Sequence, residues 1–125
     1  MRGRMRLSIL FFTFLLFVST AFSQVTNSSK PGGLAEEQDY AFAYGLFKDG
    51  LFQLAADQFD QFVEKYPASM KKIDAVFLSI ESRFQHQQFD TAARLYARFV
   101  SEYPDSRLTD DASLRLGESY LRLKR

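Results

Sequence analysis

The sequence predicts an all-α fold built from antiparallel helix pairs, and two observations predict it. The stretch FVEKYPAS at residues 62–69 returns as FVSEYPDS at residues 99–106, an offset of 37. After residue 34 apolar residues recur at intervals of three and four, and no segment alternates with the period of a strand. A constant offset of this size indicates a repeated unit that stacks on its neighbours, and about two and a half units fit.

The offset of 37 holds well beyond the repeated phrase. No gap is needed to align the two copies, so each unit has the same plan. The matching pairs are Phe47 with Phe84, Phe52 with Phe89, Ala55 with Ala92, Ala56 with Ala93, Phe62 with Phe99, Tyr66 with Tyr103, Pro67 with Pro104, Ser69 with Ser106, Asp74 with Asp111, and Glu81 with Glu118.

Residues 1–23 predict a secretory signal peptide. Three arginines in the first six residues precede the apolar run LSILFFTFLLFV, and Ala21 and Ser23 supply small residues for a peptidase. The run is shorter than the roughly 20 apolar residues that cross a bilayer, so a cleaved signal is favoured over a membrane anchor. We expect export, to the periplasm, with cleavage after Ser23 and Ala21 as the alternative site.

Residues 24–33, QVTNSSKPGG, predict a flexible tether, and residues 34–125 then form one small domain. The chain has no cysteine, so no disulfide can form. The absence of a lipid-acceptor cysteine after the apolar run disfavours a lipoprotein and favours a soluble export product. Removing the three leader arginines from 16 basic residues leaves 13 against 15 acidic ones, a net charge of about −2. This weak, mixed charge argues against a nucleic-acid partner.

Five helices account for the domain. Asp49 and Gly50 separate the first two, and Pro67 ends the second because the residue before a proline leaves the α region. In the second and fourth helices the paired alanines allow close approach of a partner helix, and a large aromatic follows one turn later. The predicted helices span residues 34–48, 52–66, 72–85, 89–103 and 108–124.

These positions resemble the tetratricopeptide repeat, which implies a right-handed α-solenoid. The family places alanine, a large aromatic four residues on, and proline twelve residues after the alanine. The matching residues are Ala55, Phe59 and Pro67, then Ala92, Tyr96 and Pro104, with Leu116, Gly117 and Tyr120 as the front half of a third unit. The chain departs from the family in a repeat of 37 instead of 34 residues, and in having Ala43 and Ile80 in the place of Gly117.

The Tyr-Pro-x-Ser ending, the long repeat and the signal peptide resemble exported bacterial envelope proteins of the Tol-Pal-associated and BamD-like types. The resemblance implies a non-catalytic protein-interaction scaffold in the cell envelope. The alternative is the front segment of a BamD-like assembly component or a Tol-Pal cell-division component. The chain departs from the BamD-like type because it lacks the anchor cysteine. It departs from the Tol-Pal type because residues 24–34 are too short for an N-terminal coiled coil.

No catalytic, metal or cofactor site is predicted, and no small-molecule substrate. His86 is the single histidine and lies between two predicted helices, where an exposed turn residue is the simpler interpretation. No serine lies in a G-x-S-x-G motif, and the glycines do not form a phosphate loop. Asp110 and Asp111 are better explained as acidic residues at a helix start, where they offset the amide dipoles.

The resemblance also implies a partner-binding groove on the concave face, lined by the first helix of each unit. Placing the family's groove positions on this sequence predicts the groove residues Tyr40, Tyr44, Asp74, Phe77, Glu81, Asp111, Leu114 and Glu118. The same placement also gives Glu37, Phe47, Phe84 and Leu121. The alternative is that some of these aromatics fill the core, a choice that stays open for Phe47 and Phe84. Because the set is acidic and apolar, it favours a protein or peptide partner with an apolar segment and some positive charge.

The last predicted helix carries apolar residues on more than one side. Leu114, Leu116, Tyr120, Leu121 and Leu123 exceed the single stripe needed to pack on residues 89–103. We therefore expect either that residues 34–125 are the N-terminal part of a longer array or that another molecule covers this helix, including by self-association. The sequence favours the longer array.

Overall fold

The computed structural model describes residues 33–124, and that part of the chain is an all-α array without strands. This confirms the predicted fold class. The predicted signal peptide and nearly all of the predicted tether lie outside the described residues. The helices are α1 (Gly33–Lys48), α2 (Phe52–Lys65), α3 (Lys72–Gln85), α4 (Phe89–Glu102) and α5 (Thr109–Leu123).

Successive helices pack as antiparallel pairs, and aromatic contacts at both ends of the second pair show it. Phe84 at the end of α3 meets Phe89 at the start of α4, with ring centroids 5.3 Å apart. Phe77 near the start of α3 meets Phe99 near the end of α4 at 5.8 Å. The first pair has the same arrangement, so the two units are built alike.

The helix ends differ from the predicted ones by at most one residue. Tyr66 and Tyr103, each followed by proline, have φ/ψ of −124°/63° and −126°/55°, outside the α region. The proline ring disfavours α geometry in the residue before it, so α2 and α4 end one residue earlier than predicted.

The repeated Tyr-Pro-x-Ser phrase forms the same turn twice. The Ser69 amide donates to the Tyr66 carbonyl at 3.0 Å, and the Ser69 hydroxyl oxygen accepts from the Lys71 amide at 3.0 Å. Ser106 makes the equivalent two bonds at 3.1 Å and 3.2 Å. The serine thus satisfies backbone donors at the start of the next helix, which explains why the chain contains the phrase twice.

Two apolar clusters form the core, and α3 contributes to both. The paired alanines of α2 and α4 are buried, as a close contact between helices requires. The buried residues of the first cluster are Ala43, Ala55, Phe59, Phe62 and Ala75. Those of the second are Ile80, Phe84, Ala92, Tyr96, Phe99 and Ala112.

Candidate partner-binding groove

A cleft of about 460 Å³ lies between α3 and α5. The residues that line it are Phe77, Glu81, Asp111, Leu114, Arg115 and Glu118. Five of these six are predicted groove residues. They come together because positions three, four and seven apart on a helix share a face, and α5 lies beside α3 one repeat further on.

Glu81 is the buried centre of this cleft, with only 6% of its surface exposed. Its carboxylate accepts hydrogen bonds from the Tyr96 hydroxyl at 2.6 Å and from the Gln85 side chain at 2.8 Å, and Arg115 lies 3.1 Å away. Burial, followed by the charge of Glu81, raises the pKa of Tyr96 well above its usual value, so Tyr96 remains a donor. Glu81, a residue of α3, therefore links α3 to both α4 and α5.

Arg115 was not predicted as a groove residue, although it lines the cleft. Its guanidinium donates to Glu118 at 2.6 Å and lies 5.0 Å from the centre of the Phe84 ring. Burial alone would lower its pKa, but the Glu118 hydrogen bond and the charge of Glu81 raise it. One signal for Arg115 existed in the sequence, because its equivalent one repeat earlier is the apolar Leu78.

Arg115 partly neutralises two of the three cleft carboxylates, and Asp111 is the third. Asp111 is exposed at the start of α5, and no ion pair within residues 33–124 includes it. Within the described residues, Asp111 is therefore the cleft carboxylate that is exposed outside an ion pair, and it lies beside the apolar side chains of Phe77 and Leu114. Leu114 is 64% exposed, whereas Phe77 is half-buried against Tyr96.

The other three predicted groove residues do not line this cleft. Asp74 pairs with Arg107 at 2.6 Å. Tyr40 is half-buried, with the Lys71 amino group 5.2 Å from its ring centre. Tyr44 is exposed on α1. Tyr40 also packs edge-on against Phe59 and Phe62, so it contributes to the first cluster.

Four further positions were predicted from the family's groove: Phe47 and Phe84, whose assignment to groove or core was open, and Glu37 and Leu121. Phe84 is buried in the second cluster, so the core interpretation holds for it. Phe47 is half-buried and packs against the first cluster. Glu37 pairs with Lys71 at 3.2 Å. Leu121 is exposed and does not line the cleft.

A second cleft, of about 470 Å³, lies between α2, α3 and α4. Its walls carry carboxylates and cations in equal number, and Asp60 and Arg83 pair across it at 2.5 Å. The formal charges of its lining side chains therefore sum to zero, whereas carboxylates outnumber cations in the cleft that contains Asp111.

Two of the residues considered above for chemistry, His86 and Asp110, lie at helix ends. His86 is exposed just after α3, and Asp110 lies in the first turn of α5. Among residues 33–124 no group of side chains is arranged to hold a metal ion. Within the same span no helix has the length and hydrophobicity that crossing a membrane requires.

A family model described as tetratricopeptide repeat matches residues 74–106. This span covers most of α3, all of α4 and the second Tyr-Pro-x-Ser turn. The match supports a tetratricopeptide repeat protein and, with the five helices, a helical solenoid of that type. Such repeats generally mediate protein–protein interaction and are generally non-catalytic scaffolds.

Comparison with curated proteins found no significant match, and comparison with solved structures found none. The predicted likeness to Tol-Pal-associated and BamD-like proteins is therefore not supported by a relative.

Proposed function

We propose that this chain is a non-catalytic scaffold of the bacterial cell envelope that binds a protein or peptide in the cleft between α3 and α5. The observation that carries the proposal is the juxtaposition in one open cleft of apolar side chains with an accessible carboxylate. A cleft of this kind binds an extended or helical segment by burying apolar side chains and is selective through charge.

The chemistry of the cleft defines the segment that fits it. An apolar side chain of the partner packs between Phe77 and Leu114, and a lysine or arginine beside it meets Asp111. The carboxylates of Glu81 and Glu118 are held by Arg115 and position the wall. A segment with a free acidic terminus does not fit, because it would face Asp111.

Asp111→Lys tests this proposal, with Asp110→Lys as the matched control. Both aspartates are exposed in the first turn of α5, but only Asp111 lines the cleft. Peptides selected from a random displayed library for binding to the unchanged protein should combine apolar residues with lysine or arginine. We expect Asp111→Lys to weaken their binding roughly fivefold to tenfold, because an exposed ion pair contributes up to about 1 kcal/mol and the reversed charge repels. Fluorescence anisotropy at two salt concentrations measures the effect.

Two outcomes would count against the proposal. Selected peptides that are mainly acidic would contradict the charge of the cleft. Equal losses of peptide affinity in the two lysine variants would show that the effect comes from the general electrostatic field at the α5 N-terminus. The binding site would then not be the cleft.

Export to the periplasm is part of the proposal and rests on the pattern of residues 1–23. We expect the chain recovered from the periplasmic fraction to begin at Gln24, as determined by mass spectrometry of the intact protein. An intact N-terminus in the membrane fraction would instead make the apolar run an anchor.

A further inference from the structure

Helix α5 presents an uncovered face opposite the side that packs on α4. Ala112 and Ser119 are buried on the packed side. On the opposite side Leu114 and Leu121 are 64% and 63% exposed, with the exposed Gly117 between them. We name this face the α5 seam. It consists of Asp110, Leu114, Gly117, Leu121 and Lys124, at the alternating intervals of four and three that two packed helices use.

The preceding repeat shows what kind of element fits this face. Phe77, Ile80 and Phe84 lie 37 residues before Leu114, Gly117 and Leu121, and in α3 they pack on the antiparallel helix α4. The α5 seam therefore has the register of a face that accepts an antiparallel helix.

Gly117 lets such a helix come closer than α4 comes to α3. It replaces the buried Ile80 of the preceding repeat, and a Cβ at Gly117 would meet no heavy atom within 4 Å. Small residues at a helix crossing shorten the distance between the axes, and the two flanking leucines then pack across it.

The charges along the α5 seam favour a second α5 as the occupant. Asp110 lies in the first turn and Lys124 just past the last, each seven residues from Gly117. If two copies cross antiparallel at Gly117, each Asp110 faces Lys124 of the other copy, and the leucines meet between them. In an interface with two-fold symmetry every favourable contact occurs two times, once on each side of the axis. We infer that the chain forms an antiparallel homodimer through the α5 seam, which shares Leu114 with the peptide-binding cleft but is otherwise made of residues outside it.

Sedimentation equilibrium of the chain, produced from Met1 so that processing can occur, tests this inference. Because one helix of each copy makes the contact, we expect it to bury less than the roughly 1,200–2,000 Å² of stable complexes. We therefore expect an apparent mass that rises with concentration toward twice the monomer mass. Leu121→Glu should abolish this rise, and Leu54→Glu, a similarly exposed leucine on α2, should not. A monomer at every concentration, or a dimer insensitive to Leu121→Glu, would overturn the inference.

Cysteine cross-linking gives a second, independent readout, because the chain contains no cysteine. Gly117→Cys places a thiol at the two-fold axis, and Gln61→Cys is an exposed control on α2. Under mild oxidation only Gly117→Cys should form a disulfide-linked dimer. No linkage at residue 117, or equal linkage in both variants, would overturn the dimer. Neither Leu121 nor Gly117 lines the cleft, so this failure would leave the peptide-binding result intact.

Discussion

Replacing Tyr96 with alanine is expected to lower the free energy of unfolding by about 3–5 kcal/mol, the usual cost of truncating a large buried aromatic. Tyr96 is fully buried in the second cluster and packs against Phe77 and Phe84. Its hydroxyl is also a donor to the buried Glu81. Alanine would leave a cavity and one carboxylate oxygen without its partner. Urea unfolding followed by circular dichroism measures the loss.

Tyr96→Phe is the matched variant that separates packing from hydrogen bonding. It keeps the ring and removes only the hydroxyl, so we expect a loss of about 1–3 kcal/mol from the unsatisfied Glu81 oxygen. If Tyr96→Phe were as stable as the unchanged protein, the contact between Tyr96 and Glu81 would contribute nothing. If both variants lost the same amount, the ring would not fill the core as described.

Ala92→Leu is expected to destabilise the fold by about 1–3 kcal/mol, because a well-packed contact cannot take up three extra carbons without strain. Ala92 has no exposed surface and lies in the second cluster, where α3, α4 and α5 meet. The strain arises at the helix contact itself. Thermal and urea unfolding report the change.

Ala97→Leu is the control for Ala92→Leu within the same helix. Ala97 is exposed on α4, and alanine and leucine are both good helix formers, so this variant should change stability by only a few tenths of a kcal/mol. Similar losses for the two variants would show that the assigned buried face of α4 is wrong.

The helix pairs were predictable because they depend on local sequence features, and each feature occurs in both repeats. The spacing of apolar residues set the faces, and the prolines after Tyr66 and Tyr103 set two of the helix ends. Transferring family positions onto the helix faces gave a predicted groove, and five of its residues line one cleft between α3 and α5. Their meeting in one cleft followed from the repeat, because stacked units place equivalent helices side by side.

Other features depend on tertiary context and could not be read from residue types. Gln87 has φ of 64°, the left-handed conformation that Gly50 adopts at the equivalent turn of the first unit. The geometry of the turn overrides the preference of glutamine, which favours negative φ. The change from Leu78 to Arg115 one repeat later marks the position of the arginine, but its role depends on a buried carboxylate contributed by another helix, which the sequence of α5 does not identify.

The packing of each helix mainly on its neighbours in sequence has a consequence for how the protein forms. Most tertiary contacts close short loops, so little chain entropy is lost before a contact is made. Chains with such local topology fold quickly, and each new helix can dock on those already in place. A chain that emerges progressively from a narrow exit, as during synthesis or passage across a membrane, can therefore assemble its structure in the order in which its residues appear.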